Sequence, residues 1–114
     1  MIYAEFTHKG KIDSEALKRA IKVWLPAAGY AVAGQAVEIA PIDTGNLKAS
    51  ISYRVKDDTA IVGASADYAE YVEYGTKFSQ KQPYMRPAID AMRNKLTVAL
   101  QKLYDREVIK DSKG

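Results

Sequence analysis

Glu70 and Glu73 are the residues whose type and spacing come nearest to chemistry: three apart, they share one face if residues 68–74 are helical. Paired carboxylates in that arrangement can serve general acid/base work, yet on a short surface helix they more often form a solvated acidic face. Nothing nearby completes a reaction centre. The only histidine, His8, falls in an alternating segment where a solvated side chain is the plain reading, and there is no cysteine for a thiolate, disulfide or Cys-based metal site. Ser50, Ser52, Ser65, Ser79 and Ser112 lack the context of a nucleophile elbow. Glycines occur singly, in no phosphate-cradling pattern. No catalytic residue, cofactor or metal is expected, and a hydrolase ranks last among the functions considered.

The same region is dense in a second resource. Tyr68, Tyr71, Tyr74 and Tyr84 are half of the chain's 8 tyrosines. A six- or seven-residue helix cannot bury three tyrosines on one side, so at least one ring is expected to face outward, where a large amphipathic ring suits an interface. Core packing of Tyr68 and Tyr71 is the competing reading.

The elements that position these residues follow from periodicity. Ile2, Ala4 and Phe6 alternate with Tyr3, Glu5 and Thr7, predicting a half-buried strand over 1–8 that Gly10 breaks. Asp13 is a natural N-cap for a long amphipathic helix over 13–40, with Glu15 in its first turn and an apolar stripe through Leu17, Ile21, Trp24, Ala28, Val32, Ala36 and Ile39. Pro26 falls inside it and predicts a kink or a break near Leu25. Gly29, Ala31, Ala33, Gly34 and Ala36 make its second half slim enough for close packing.

Pro41 ends that helix, and the stretch "APIDTGNLKASI" (residues 40–51) turns the chain sharply, with Asp43 or Thr44 able to cap a short helix over 45–50. A β-hairpin is predicted over 51–63, turning at Asp57-Asp58. Asp67 can cap a helix from Tyr68 to Tyr74 that stops at Gly75, followed by a loop over 76–86. Pro87 fits the first turn of a final helix over 87–110, striped by Ile89, Met92, Leu96, Ala99 and Leu103 and widened by Leu100 and Tyr104, with the tail "KDSKG" expected to fray. The sum is a single α+β domain over 1–114: a small antiparallel sheet with a long N-terminal and a long C-terminal helix packed on it.

At 114 residues, 47% hydrophobic and 27% charged, the chain can bury a modest core without a staple. No apolar run reaches the roughly 20 residues of a membrane span. The N-terminus alternates instead of joining a basic start to an apolar block, so the chain is expected to stay in the cytoplasm in which it is made. Net charge is +3, and no block of the chain concentrates positive charge. A small basic nucleic-acid-binding module is therefore the main alternative function, drawing on Arg93, Lys95, Lys102, Arg106 and Lys110. These are interrupted by Asp90, Asp105 and Glu107 and spread around the helix as on a solvated face.

Taken in order and spacing, "APIDTGNLKASI", "YAEYVEYGT" and "PYMRPAIDAM" resemble the small tail-component proteins of long-tailed bacteriophages, the gene-product-ten-like group variously described as neck, tail-completion or head-tail joining proteins. The resemblance covers roughly residues 12–105. It falls on Pro41, Asp43, Thr44, Gly45, Leu47, Ser50 and Ile51, then on Tyr68, Ala69, Val72, Glu73, Gly75 and Thr76, then on Pro83, Arg86, Pro87 and Ala88. Tyr84-Met85 departs from the Phe-Leu often found there.

The resemblance implies a non-enzymatic virion protein assembled in the bacterial host cytoplasm and placed at the head-tail junction. It implies a ring of identical subunits, six-fold, between a head-closure or adaptor protein and a tail-terminator or tail-tube protein, with DNA at most passing through the lumen and no membrane partner. The assembly candidates are Asp43, Thr44, Gly45, Leu47, Tyr71, Glu73, Tyr74, Gly75, Thr76, Phe78, Tyr84 and Arg86. Three contacts are expected: the 40–47 turn against the loop after Gly75, with Gly45 letting the segments touch; an arm over 76–86 that orders on assembly and buries Phe78 and Tyr84; and a Glu70/Glu73 face meeting Lys77, Lys81 or Arg86 of a neighbour.

Overall fold

The computed structural model describes residues 1–7, 14–41 and 45–113. The first strand, β1, spans Ile2–Thr7, and its even residues point inward while its odd ones face water, as the alternation requires. His8, Asp13, Asp43 and Thr44 lie outside the described residues. The cap that is seen on the first helix, α1 (Glu15–Ile39), is Ser14, whose hydroxyl accepts a 3.0 Å bond from the Leu17 amide.

Of the two alternatives at Pro26, the helix does not take the break: α1 is continuous through it. Pro26 and Lys22 both sit on the exposed side, so the Lys22 carbonyl that loses its helical partner is open to water. A short helix, α2 (Gly45–Ser50), leads into the hairpin β2 (Ile51–Lys56) and β3 (Thr59–Ala64). Its two-residue turn is made by Asp57, at φ 55, and Asp58; aspartate tolerates that left-handed conformation better than most residues. The last elements are α3 (Ala69–Tyr74) and α4 (Met85–Lys113).

The sheet is antiparallel in the order β1-β3-β2. Val62 and Ala64 of the central strand are buried in one cluster with Val32, Ala33 and Ala36, and Ala60 in another with Ile21, Trp24, Leu25 and Ala28, so small side chains on both elements let α1 lie close beneath β2 and β3. The largest inter-element contact is α1 against α4, which run antiparallel: Arg19 near the start of α1 reaches Glu107 (2.9 Å) and Asp111 (2.6 Å) near the end of α4. Midway, the Trp24 indole donates to the Leu96 carbonyl at 2.8 Å and meets Phe6 edge-to-face at 6.3 Å. The described residues form an elongated body of 60 × 22 × 22 Å. This is the expected α+β architecture, and no helix among the described residues is long and apolar enough to cross a membrane.

Three local expectations are corrected. Asp67 does not cap α3; Tyr68 stands at its N-cap position with no side-chain bond. Helix α4 starts two residues before Pro87 and continues to Lys113, so the tail is helical rather than frayed. The stripe on α4 passes through Leu100 instead of Ala99, which is exposed, and only Met85 and Ala88 are fully buried on this helix.

Candidate assembly surface

The region that holds the second and third motifs is organised by one carboxylate. Glu73 is 4% exposed, with no cationic partner among the described residues, and its oxygens accept from the amides of Tyr84 (2.9 Å), Met85 (2.7 Å) and Arg86 (3.1 Å). Residues 80–85 contain no Ser, Thr, Asp or Asn to cap α4 locally, so the cap is delivered from α3. The accounting at this helix start is complete: Pro87 has no amide, and Ala88 makes the first intrahelical bond to the Tyr84 carbonyl at 3.2 Å. Glu70 stays exposed. The two carboxylates therefore do not form one acidic face, and Glu73 is not available to a neighbour's cation.

Tyr84 is fully buried and donates its hydroxyl to the Ala69 carbonyl at 2.9 Å, which ties the start of α4 to the start of α3. Its phenol is pushed up to about 12, first by burial and then by the nearby Glu73 charge. Leu47 is also fully buried, in the same core cluster as Ala69, Tyr84 and Met85. The 76–86 segment is therefore no arm awaiting a partner: Tyr84 is already core, and Gln82 donates to the Val72 carbonyl at 2.7 Å.

The turn between these anchors is tight. Gly75 has φ 77 and ψ 175, and a Cβ there would stand 2.9 Å from the Lys81 nitrogen, so glycine is required twice over. The Thr76 hydroxyl accepts from the Phe78 and Ser79 amides, both at 3.1 Å, and Thr76 bridges Ser79. Held this way, Phe78 is 87% exposed with the Lys77 ammonium 5.2 Å from its ring, and Tyr74 and Tyr71 on the preceding α3 are 72% and 56% exposed. Arg86 extends into water, 3.7 Å from Asp90.

The assembly candidates thus divide. Tyr71, Tyr74, Phe78 and Arg86 are presented outward, while Leu47, Glu73 and Tyr84 build the interior and Gly75 and Thr76 shape the turn. Asp43 and Thr44 lie outside the described residues, and Gly45 begins α2.

A second exposed apolar area was not expected. Val23, Ala27 and Tyr30 are exposed along one face of α1, and Tyr30 stacks edge-to-face on Tyr53 of β2 at 6.0 Å. Tyr53 reaches this position by lying over Gly29, where a Cβ would stand 2.8 Å from its ring. The signal was present in the 23-27-30 spacing, a second apolar stripe at helical period.

No cluster of three metal-ligating side chains occurs among the described residues. A groove of about 670 Å³ between Phe6, Trp24, Leu96 and Leu100 is lined mainly by apolar side chains, with Arg93 its one charged residue among the described ones. The cations of α4 are partly engaged, Arg93 with Asp90 and Lys110 with Glu107.

Compared with known proteins, residues 7–75 match the model of the HK97-gp10-like bacteriophage tail-component family. The match begins at Thr7, the last residue of β1, and runs through α3 to the Gly75 turn. No curated protein and no solved structure matches the chain.

Proposed function

The chain belongs to the HK97-gp10-like family of bacteriophage tail components, and we propose that within the phage it is a ring subunit at the head-tail junction, a neck or tail-completion protein needed to join heads to tails. It is a structural protein, not an enzyme. The observation that carries the proposal is the outward display of Tyr71 and Tyr74 on α3 and of Phe78 on the turn fixed by Gly75 and Thr76. Large aromatics left in water gain most from burial at an interface, and the hydrogen-bonded turn that carries Phe78 has little backbone left to order on docking. The partners this reading assigns are further copies of the chain, a head-closure or adaptor protein on one side and a tail-terminator or tail-tube protein on the other.

Two measurements test it. Immunogold labelling of intact particles with an antibody to this chain should place label at the head-tail joint; label along the tail or at its tip would contradict the junction. Phe78→Ser combined with Tyr74→Ser should leave unfolding stability within about 0.5 kcal/mol, since both rings are in water, yet sharply lower the yield of joined particles. Unchanged yield would remove the display from the mechanism.

A further inference from the structure

The sheet has two outer strands, and among the described residues nothing pairs with the outer edge of either. Both β1 and β2 are antiparallel to β3, so they run in the same direction, and each is six residues long. Their rungs coincide. Ala4 and Tyr53 both face Val62, Glu5 and Arg54 both face Ile61, and Phe6 and Val55 both face Ala60.

The phase of the backbone groups follows from one bond. Ser65 donates to the Ser50 carbonyl at 3.3 Å, and these residues are opposite each other in the continued β2–β3 register. Hydrogen-bonded pairs alternate along an antiparallel ladder, so Ser52, Arg54 and Lys56 bond to β3, while Ile51, Tyr53 and Val55 turn their amides and carbonyls outward. By the same alternation across β3, the outward groups of β1 belong to Tyr3, Glu5 and Thr7. In a parallel ladder a residue bonds to the two neighbours of the residue opposite it. Tyr53 set opposite Ala4 of another copy would meet the outward groups of Tyr3 and Glu5, and Val55 opposite Phe6 would meet those of Glu5 and Thr7.

The geometry points to a head-to-tail contact in which β2 of one copy pairs in parallel with β1 of the next, extending the sheet from subunit to subunit. The side chains fit this register. On the solvent face Arg54 comes beside Glu5; on the helix face the large Tyr53 lies over the small Ala4, and Val55 packs on Phe6. Tyr53 and Val55, 40% and 39% exposed although they point to the helix side of the sheet, gain the cover they lack in one chain, and the neighbouring Val23–Tyr30 stripe lies at the same seam. An edge strand with exposed apolar residues is a template for pairing. Because the two edges differ, the contact is heterologous and propagates, as a ring requires. The inference rests on the ring-subunit reading and supplies its subunit contact.

The chain has no cysteine, which makes the test clean. Glu5→Cys and Arg54→Cys are placed together in phage particles. Within one chain the two positions are separated by β3, about 9–10 Å, beyond the roughly 7 Å a disulfide spans, so they link only neighbouring copies. Oxidation should give a ladder of multimers that collapses on reduction, and neither single variant should give it. If an amine cross-linker captures multimers in the same particles but oxidation leaves monomers, the edge contact is overturned while the ring stands. If both reagents leave monomers, the ring falls with it. Should the double-cysteine phage yield no particles, charge reversal decides: Glu5→Arg should cut yield about tenfold or more, and adding Arg54→Glu should restore it. Failure to restore overturns the contact.

Discussion

Glu73 has exchanged water for three backbone amides, and the start of α4 depends on it. Replacing it with alanine strands three donors at a buried helix terminus, so Glu73→Ala should cost about 2–4 kcal/mol in urea unfolding. A loss near zero would mean the amides find other acceptors. Tyr84 offers a second check. Its folded-state pKa, about 12, lies above the ordinary value of 10.0, so folding favours the protonated phenol. The stability this contributes is complete below about pH 10 and is lost as pH rises toward 12. In an ultraviolet titration one tyrosine of the 8 should ionise last, together with alkaline unfolding; ionisation of all of them before any loss of structure would contradict its burial. At this scale the sequence was half legible. The tyrosine excess and the Gly75 stop could be read, because each is a local property of residue type. The role of Glu73 could not, because its partners lie eleven to thirteen residues on; the readable hint was a helix start at "PYMRP" with no capping side chain of its own.

Element by element, the strands and the two long helices follow directly from apolar period, because one face of each must be buried. What period could not decide was how much burial a helix receives. The expected stripe through Ala99 gives way to one through Leu100, since α4 packs mainly on α1 and its turns follow that partner's line of Leu17, Trp24 and Leu25. Nor could it decide between a kink and a break at Pro26, which depends on whether the orphaned carbonyl meets solvent. Since that carbonyl is on the exposed side and α1 is continuous, Pro26→Ala should restore one helical bond and raise stability by about 1 kcal/mol or more. A decrease, read by thermal unfolding, would show that the proline bend itself is needed for packing against β2. The Arg19 contacts add a latch at the far end of the helix pair, and hydrogen bonds from Arg19 and then Lys110 hold the Glu107 carboxyl below its usual range. That contribution is present above the ordinary carboxylate pKa and disappears as pH falls through the lowered one.

At the scale of the molecule, an elongated body carries unlike surfaces in different places: an aromatic turn after α3, an apolar seam along α1 and β2, and two open sheet edges. Such a distribution suits a subunit that contacts several neighbours and has no use for a closed pocket. The motifs that carry the family resemblance lie partly inside residues 7–75, where the family match falls, and partly beyond it in α4, which the Glu73 cap joins to the matched region. The central claim is a role in joining heads to tails. Electron microscopy of lysates from a phage whose copy of this gene carries an early stop codon tests it most directly. A role in joining predicts DNA-filled heads accumulating apart from tails, or tails of abnormal length, with joining restored when the protein is supplied in trans. Intact infectious particles in the absence of the protein would contradict it.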